Sequence, residues 1–170
     1  MEIIALLGAN GSGKTTIATM IKKMMEEHGD TAAIESFATP LKIIAQKFCG
    51  YDEDQKRNGH RLILETLAET IREQLGQGVF AYALLDRSIL LNADYIIIDD
   101  LRYPEELELI MEFYPFKLIL VPYSGRCEHS DIKRLTKLLD YIDERHLDLD
   151  KPLSFSSSEL SCLVYGSNAR

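Results

Sequence analysis

The sequence predicts an α/β domain with a parallel sheet covered by helices on both faces. Two observations carry this: short apolar, β-rich runs alternate with amphipathic helical patterns, and a glycine-rich turn joins the first run to the first helix. Five runs read as strands, at residues 3–7, 32–37, 95–98, 117–121 and 162–165. Their near-continuous hydrophobicity suits strands buried on both faces.

The helices between them follow from spacing. Ile17, Met20, Ile21, Met24 and Met25 recur at helical intervals and stop before Gly29, so a first helix packs one face and ends at a glycine. Thr39 caps and Pro40 opens a short helix through Phe48, and residues 50–59 read as a loop. A longer helix, about 60–75, buries Ile63, Leu64, Leu67, Ile71 and Leu75. On its flank Arg61, Glu65, Glu69 and Arg72 share roughly 80° of arc. Residues 79–91 and 104–113 form two further helices, Ser130 caps one over 131–145, and 154–158 is serine-rich loop.

The 170 residues, 46% hydrophobic, can bury one sizeable core, and no linker or repeat marks a boundary. One domain over 1–170 is expected. A formal charge of −8 argues against polymeric nucleic acid, which requires a concentrated Lys/Arg surface. Cys49, Cys127 and Cys162 show no C-x-x-C spacing, so neither a disulfide framework nor a zinc site is expected. The first apolar run is short and headed by Glu2, unlike a leader peptide, and no run approaches a membrane span. A cytoplasmic protein with no membrane partner is the expectation.

Gly8-Ala9-Asn10-Gly11-Ser12-Gly13-Lys14-Thr15 fits G-x-x-x-x-G-K-[ST], with Thr16 following, between a strand and a helix. There a loop can turn backbone N–H groups inward and add the helix N-terminus to them. This P-loop makes Gly8, Asn10, Gly11, Ser12, Gly13, Lys14, Thr15 and Thr16 the expected ATP contacts. Lys14 neutralises the β- and γ-phosphates, and the Thr15 hydroxyl can ligate Mg²⁺. Asp99 and Asp100 close an apolar strand, so either or both can serve the metal, the other capping the next turn.

No N-K-x-D guanine motif occurs, and the chain is small for a motor ATPase. A nucleotide or metabolite kinase is favoured instead. An alcohol acceptor generally needs a carboxylate to take its proton, whereas a phosphate acceptor is already largely ionised and needs positive charge between two anions. Arginine supplies that charge in a planar fork. Arg61, Arg72, Arg87, Arg102, Arg126 and Arg134 are the candidates.

Phe37-Ala38-Thr39-Pro40-Leu41-Lys42 resembles the F-A-[DT]-P-L-K segment of bacteriophage deoxynucleoside monophosphate kinases. Asp100-Leu101-Arg102-Tyr103-Pro104-Glu105-Glu106 is similar to their D-[VL]-R-[FY]-P-x-E segment, and the helix bearing Arg61, Leu64 and Arg72 resembles their acceptor helix. The resemblance runs from Met1 to about Val121. It implies a three-layer P-loop kinase fold with sheet order 2-3-1-4-5, use of ATP and Mg²⁺, and a deoxynucleoside monophosphate (dNMP) acceptor. It further implies that Lys42, Arg61 and Arg72 face the acceptor, with Glu65 on the same stripe, and that Asp100 and Arg102 stand near the transferring phosphate. Residues 38–92 would form the acceptor-binding region and 122–150 a lid, from which Arg126 and Arg134 join Lys14 and Arg102 as the catalytic set. A kinase for another phosphorylated metabolite, such as phosphomevalonate, and a non-catalytic nucleotide-binding module remain as alternatives. Base and sugar selectivity, and whether the protein forms a homodimer, are left open.

Overall fold

The computed structural model of the chain describes residues 1–51, 60–122, 129–151 and 156–165, without the side chains of residues 60, 61, 129–131, 157–159 and 162. Within these, four parallel strands form one sheet: β1 (Glu2–Leu7), β2 (Ala32–Glu35), β3 (Tyr95–Ile98) and β4 (Phe116–Leu120), in the order β2-β3-β1-β4. Ile3 of β1 lies opposite Ile96 of β3 and Phe116 of β4. Alternate residues then divide between the faces as the strand period of two requires.

Ile3, Ala5, Leu7, Ile96 and Ile98 face one core. It is covered by α2 (Thr39–Phe48), α3 (His60–Leu75), α4 (Val79–Leu91), α5 (Pro104–Phe113) and α6 (His129–Glu144). Ile4, Leu6, Ile97 and Ile119 face the second core, covered by α1 (Lys14–His28) and α7 (Ser157–Tyr165). These are the three expected layers. Such a sheet exposes one functional edge, because every parallel strand ends its carboxyl side at the same rim.

The fifth strand is a correction. Residues 162–165 are the end of α7, where Leu160, Leu163 and Val164 pack on α1 at helical spacing. A four-residue apolar run fits either period, and tertiary packing selected the helix. Beyond β4 the sheet gains only a one-residue bridge, in which Asp150 and Ile119 pair through Leu120 N–H to Asp150 O and Asp150 N–H to Leu118 O, each 2.9 Å. The expected order 2-3-1-4 holds for the four strands among the described residues.

Smaller corrections sit at helix ends. Ala38, not Thr39, caps α2, with Thr39 and Pro40 inside its first turn. Ser130 lies within α6, and Ser157 and Ser158 open α7 instead of continuing a loop. Leu75 is 70% exposed, because it ends α3 where Gly76, at φ 95°, turns the chain away from the core. Cys49 is an exposed free thiol. No helix among the described residues is long and apolar enough to cross a membrane.

Candidate functional site

The turn from β1 into α1 is shaped by its glycines. A Cβ on Gly8 would stand 2.7 Å from Val121 O and 2.8 Å from Ser12 Oγ, a clash with backbone that cannot yield. Gly13 caps α1 at φ 90° and no side chain closes that end, so the first-turn amides of α1 point at the loop. Together with the positive end of the helix dipole they form an anion cradle. Lys14, 9% exposed, donates from Nζ to Gly8 O at 2.8 Å and Ala9 O at 2.7 Å, so its ammonium sits over the loop. Ser12 Oγ is buried beneath with no protein partner. Thr16 and Gly11 line the cleft in front.

The two acids after β3 part ways. Asp99 faces the cradle, its Oδ2 accepting from Thr15 Oγ1 at 2.6 Å. Asp100 turns toward β2, accepting from Ser36 Oγ at 2.6 Å, Phe37 N at 2.9 Å and Ala38 N at 3.1 Å. Burial pushes its carboxyl above the usual range; these hydrogen bonds pull it down and the Asp99 charge raises it again. Asp100 thereby pins the turn that launches α2. Mg²⁺ takes a few protein oxygens and completes its shell with water and substrate phosphate, a demand that Thr15 Oγ1 and Asp99 fit as a pair. No group of three or more His, Cys, Asp or Glu able to hold a metal occurs among the described residues.

A cleft of about 830 Å³ opens in front of this rim. Lys14, Thr15 and Asp99 line its cradle side, and Lys42, Tyr51, Leu64, Glu65, Glu69 and Arg72 the opposite side, with Arg102 and Arg134 between. Arg102 Nη2 donates to Asn10 Oδ1 at 2.7 Å, tying the loop to the β3–α5 turn. Arg134, on α6, also borders a small recess behind Gly8 and Asn10. Arg72 is held between the rings of Phe80, 4.8 Å, and Tyr103, 4.2 Å, with Nη2 bonded to Glu106 Oε1 at 3.2 Å. Arg87 is elsewhere, paired with Glu35 at 2.6 Å and Ser36 O at 3.1 Å, where it braces β2.

Glu106 is 1% exposed, and its carboxyl is pushed up to about 7. Burial is the main cause and outweighs the Arg72 charge; Asp100 adds to the rise, while the N–H groups of Arg102 and Tyr103 oppose it. The unfolded chain releases this proton near 4.5 and the folded chain near 7, so in between the folded state binds more protons and loses stability as pH rises. Glu106→Gln removes that dependence. Thermal melts from pH 4.5 to 7.5 are expected to show wild type losing up to about 3 kcal/mol relative to the variant; parallel curves would refute the shift.

Of the residues expected at the site, Asn10, Gly11, Gly13, Lys14, Thr15, Thr16, Lys42, Glu65, Arg72, Asp99, Asp100, Arg102 and Arg134 line one cleft. Gly8 and Ser12 shape the loop behind it. The side chain of Arg61 and the whole of Arg126 lie outside the described residues. The sequence reading missed the anchoring work of Ser36, Phe80, Tyr103 and Glu106. For Glu106 a signal was present: a glutamate three residues after a helix cap and two after proline is a helix-start pattern.

No curated protein matches the sequence. The Mycobacterium tuberculosis APS kinase CysC in complex with AMPPNP and APS matches at TM-score 0.50 and 14% identity, over 96% of this chain and 97% of that one, a likeness of fold. A mutant of the same Mycobacterium tuberculosis kinase matches at TM-score 0.43 and 13% identity, over 84% and 96% of the two chains. A crystal structure of APE1195 matches at 0.47 and 19%, over 98% and 96%. A family model described as ABC transporter matches residues 1–101, from β1 through the P-loop to the acids after β3. Because that match spans more than half of the chain, the chain belongs to the ABC transporter family, as a P-loop nucleotide-binding domain.

Proposed function

We propose that this protein is an ATP-dependent phosphotransferase acting on a small phosphorylated acceptor, a deoxynucleoside monophosphate. One observation carries the reading: the phosphate cradle and the two segments that resemble deoxynucleotide kinases, through Phe37, Leu41 and Lys42 and through Arg102 and Tyr103, line the same cleft. A cleft with a phosphate cradle on one side and an oriented arginine on the other suits two anions brought face to face.

The chemistry is in-line transfer. An oxygen of the acceptor phosphate forms a bond to the γ-phosphorus of ATP as the bond from that phosphorus to the β–γ bridging oxygen breaks, releasing ADP and a nucleoside diphosphate. No proton need be removed from an ionised acceptor. Lys14 and the loop amides hold the donor, Lys42 and Arg72 the acceptor, and Arg102 and Arg134 stabilise charge between them. Thr15 and Asp99 would hold Mg²⁺, which would supply charge neutralisation at the donor phosphates.

Coupled ADP release across deoxynucleoside and ribonucleoside monophosphates and phosphomevalonate tests this directly. The expected result is turnover that depends on a deoxynucleotide, at least about tenfold above water alone. The family match favours a second reading, ATP hydrolysis without an acceptor. ADP release that no acceptor accelerates would select it and overturn the kinase assignment.

A further inference from the structure

Glu106, 1% exposed, stands in the wall of the cleft. In-line transfer gives it no direct part. Both its oxygens are engaged: Oε1 accepts from Arg72 Nη2 at 3.2 Å, and Oε2 accepts from the backbone N–H groups of Arg102 and Tyr103, each at 3.2 Å. One carboxylate therefore joins α3 to the β3–α5 turn.

Each end of that link carries a cation bordering the cleft. On the turn, Arg102 reaches across to Asn10 of the phosphate loop at 2.7 Å. On the helix, Arg72 is held on three sides by two rings and Glu106, while its Nε is buried with no protein partner. Arg72 nonetheless lines the cleft, where a guanidinium can meet an anion. The flat rings restrict its tilt, and the carboxylate restricts its slide.

We propose that Glu106 is a positioning residue: through its two oxygens it sets the spacing between Arg72 and Arg102, and so places an acceptor phosphate at Arg72 in line with the donor phosphate at the loop. The inference rests on the phosphotransfer reading. A carboxylate is required because it accepts three N–H bonds and carries the charge that Arg72 answers. Glutamine offers one oxygen, so either the guanidinium or the turn loses its partner.

The test is a double-mutant cycle at pH 8, with the acceptor KM read at saturating MgATP and the MgATP KM at saturating acceptor, using the deoxynucleotide that wild type turns over fastest. Glu106→Gln is expected to raise the acceptor KM about tenfold while moving the KM for MgATP less than about twofold. In an Arg72→Ala background the same substitution is expected to change the acceptor KM less than about twofold, because Glu106 acts through Arg72. Tyr103→Leu, which removes one ring and leaves the carboxylate, is expected to raise the acceptor KM as well, and supplies a reading if Glu106→Gln does not fold. Effects of Glu106→Gln and Arg72→Ala that multiply independently, a fall in kcat with both KM values unchanged, or an unaltered acceptor KM in Tyr103→Leu would overturn the inference. Wild type that no phosphorylated acceptor stimulates sinks the phosphotransfer reading itself, and this inference with it; an active wild type with an additive cycle sinks this inference alone.

Discussion

Lys14→Met is expected to lower turnover by about 10³-fold or more while leaving a folded protein. The ammonium over the loop is the one charge that the cradle's amides cannot replace, because they are dipoles fixed in the backbone and it is a full charge that can follow the phosphates. Methionine keeps the apolar stem and removes only the head. Gly8 O and Ala9 O lose this partner, and the bond to Ala9 O is buried, so a stability loss of about 1–3 kcal/mol is expected. Initial rates of ADP release alongside a circular-dichroism melt measure both quantities. Near-normal turnover in a folded variant would falsify the assignment of this loop as the donor site.

The second large effect separates two adjacent acids by kind. Asp100→Ala removes the acceptor for Ser36 Oγ and for the N–H groups of Phe37 and Ala38. An unpaired buried donor costs about 1–3 kcal/mol, and some of these recover water from the cleft, so a loss of about 3–5 kcal/mol is expected. For a chain of this size that corresponds to roughly 10 °C in Tm. Asp99→Asn is expected to do the reverse: a melt close to wild type, since its bond to Thr15 is exposed, with turnover reduced at least about 10²-fold and only partly restored by excess Mg²⁺. Equal destabilisation by the two substitutions, or an active Asp99→Asn, would contradict the division.

Much of the site was legible because it is local. The motif from Gly8 to Thr15 specifies a strand, a turn and a helix start within eight consecutive residues, and the turn's dihedral demands are met by its own glycines. Helices α3 to α5 likewise begin and end where spacing and Gly or Pro punctuation place them. What failed was the short run at 162–165, where four apolar residues carry no decisive period and contact with α1 made the choice. The Asp99–Asp100 pair failed differently. Both acids fit the metal pattern, and their separation depended on Ser36, 64 residues upstream of Asp100.

The order of residues by itself determined the parallel α/β class, the cradle, and the basic residue types that border the cleft. Those properties follow from backbone stereochemistry and periodicity, which act over a few residues. Only the tertiary structure decided which acid faces Thr15, that Arg72 lies between Phe80 and Tyr103, and that Glu106 spans α3 and the β3–α5 turn. Thr15 and Asp99 are 84 residues apart in sequence and Arg72 and Glu106 are 34, so packing brings together segments that are distant along the chain. Partner choice there is set by the packing of whole elements, and no local pattern encodes it.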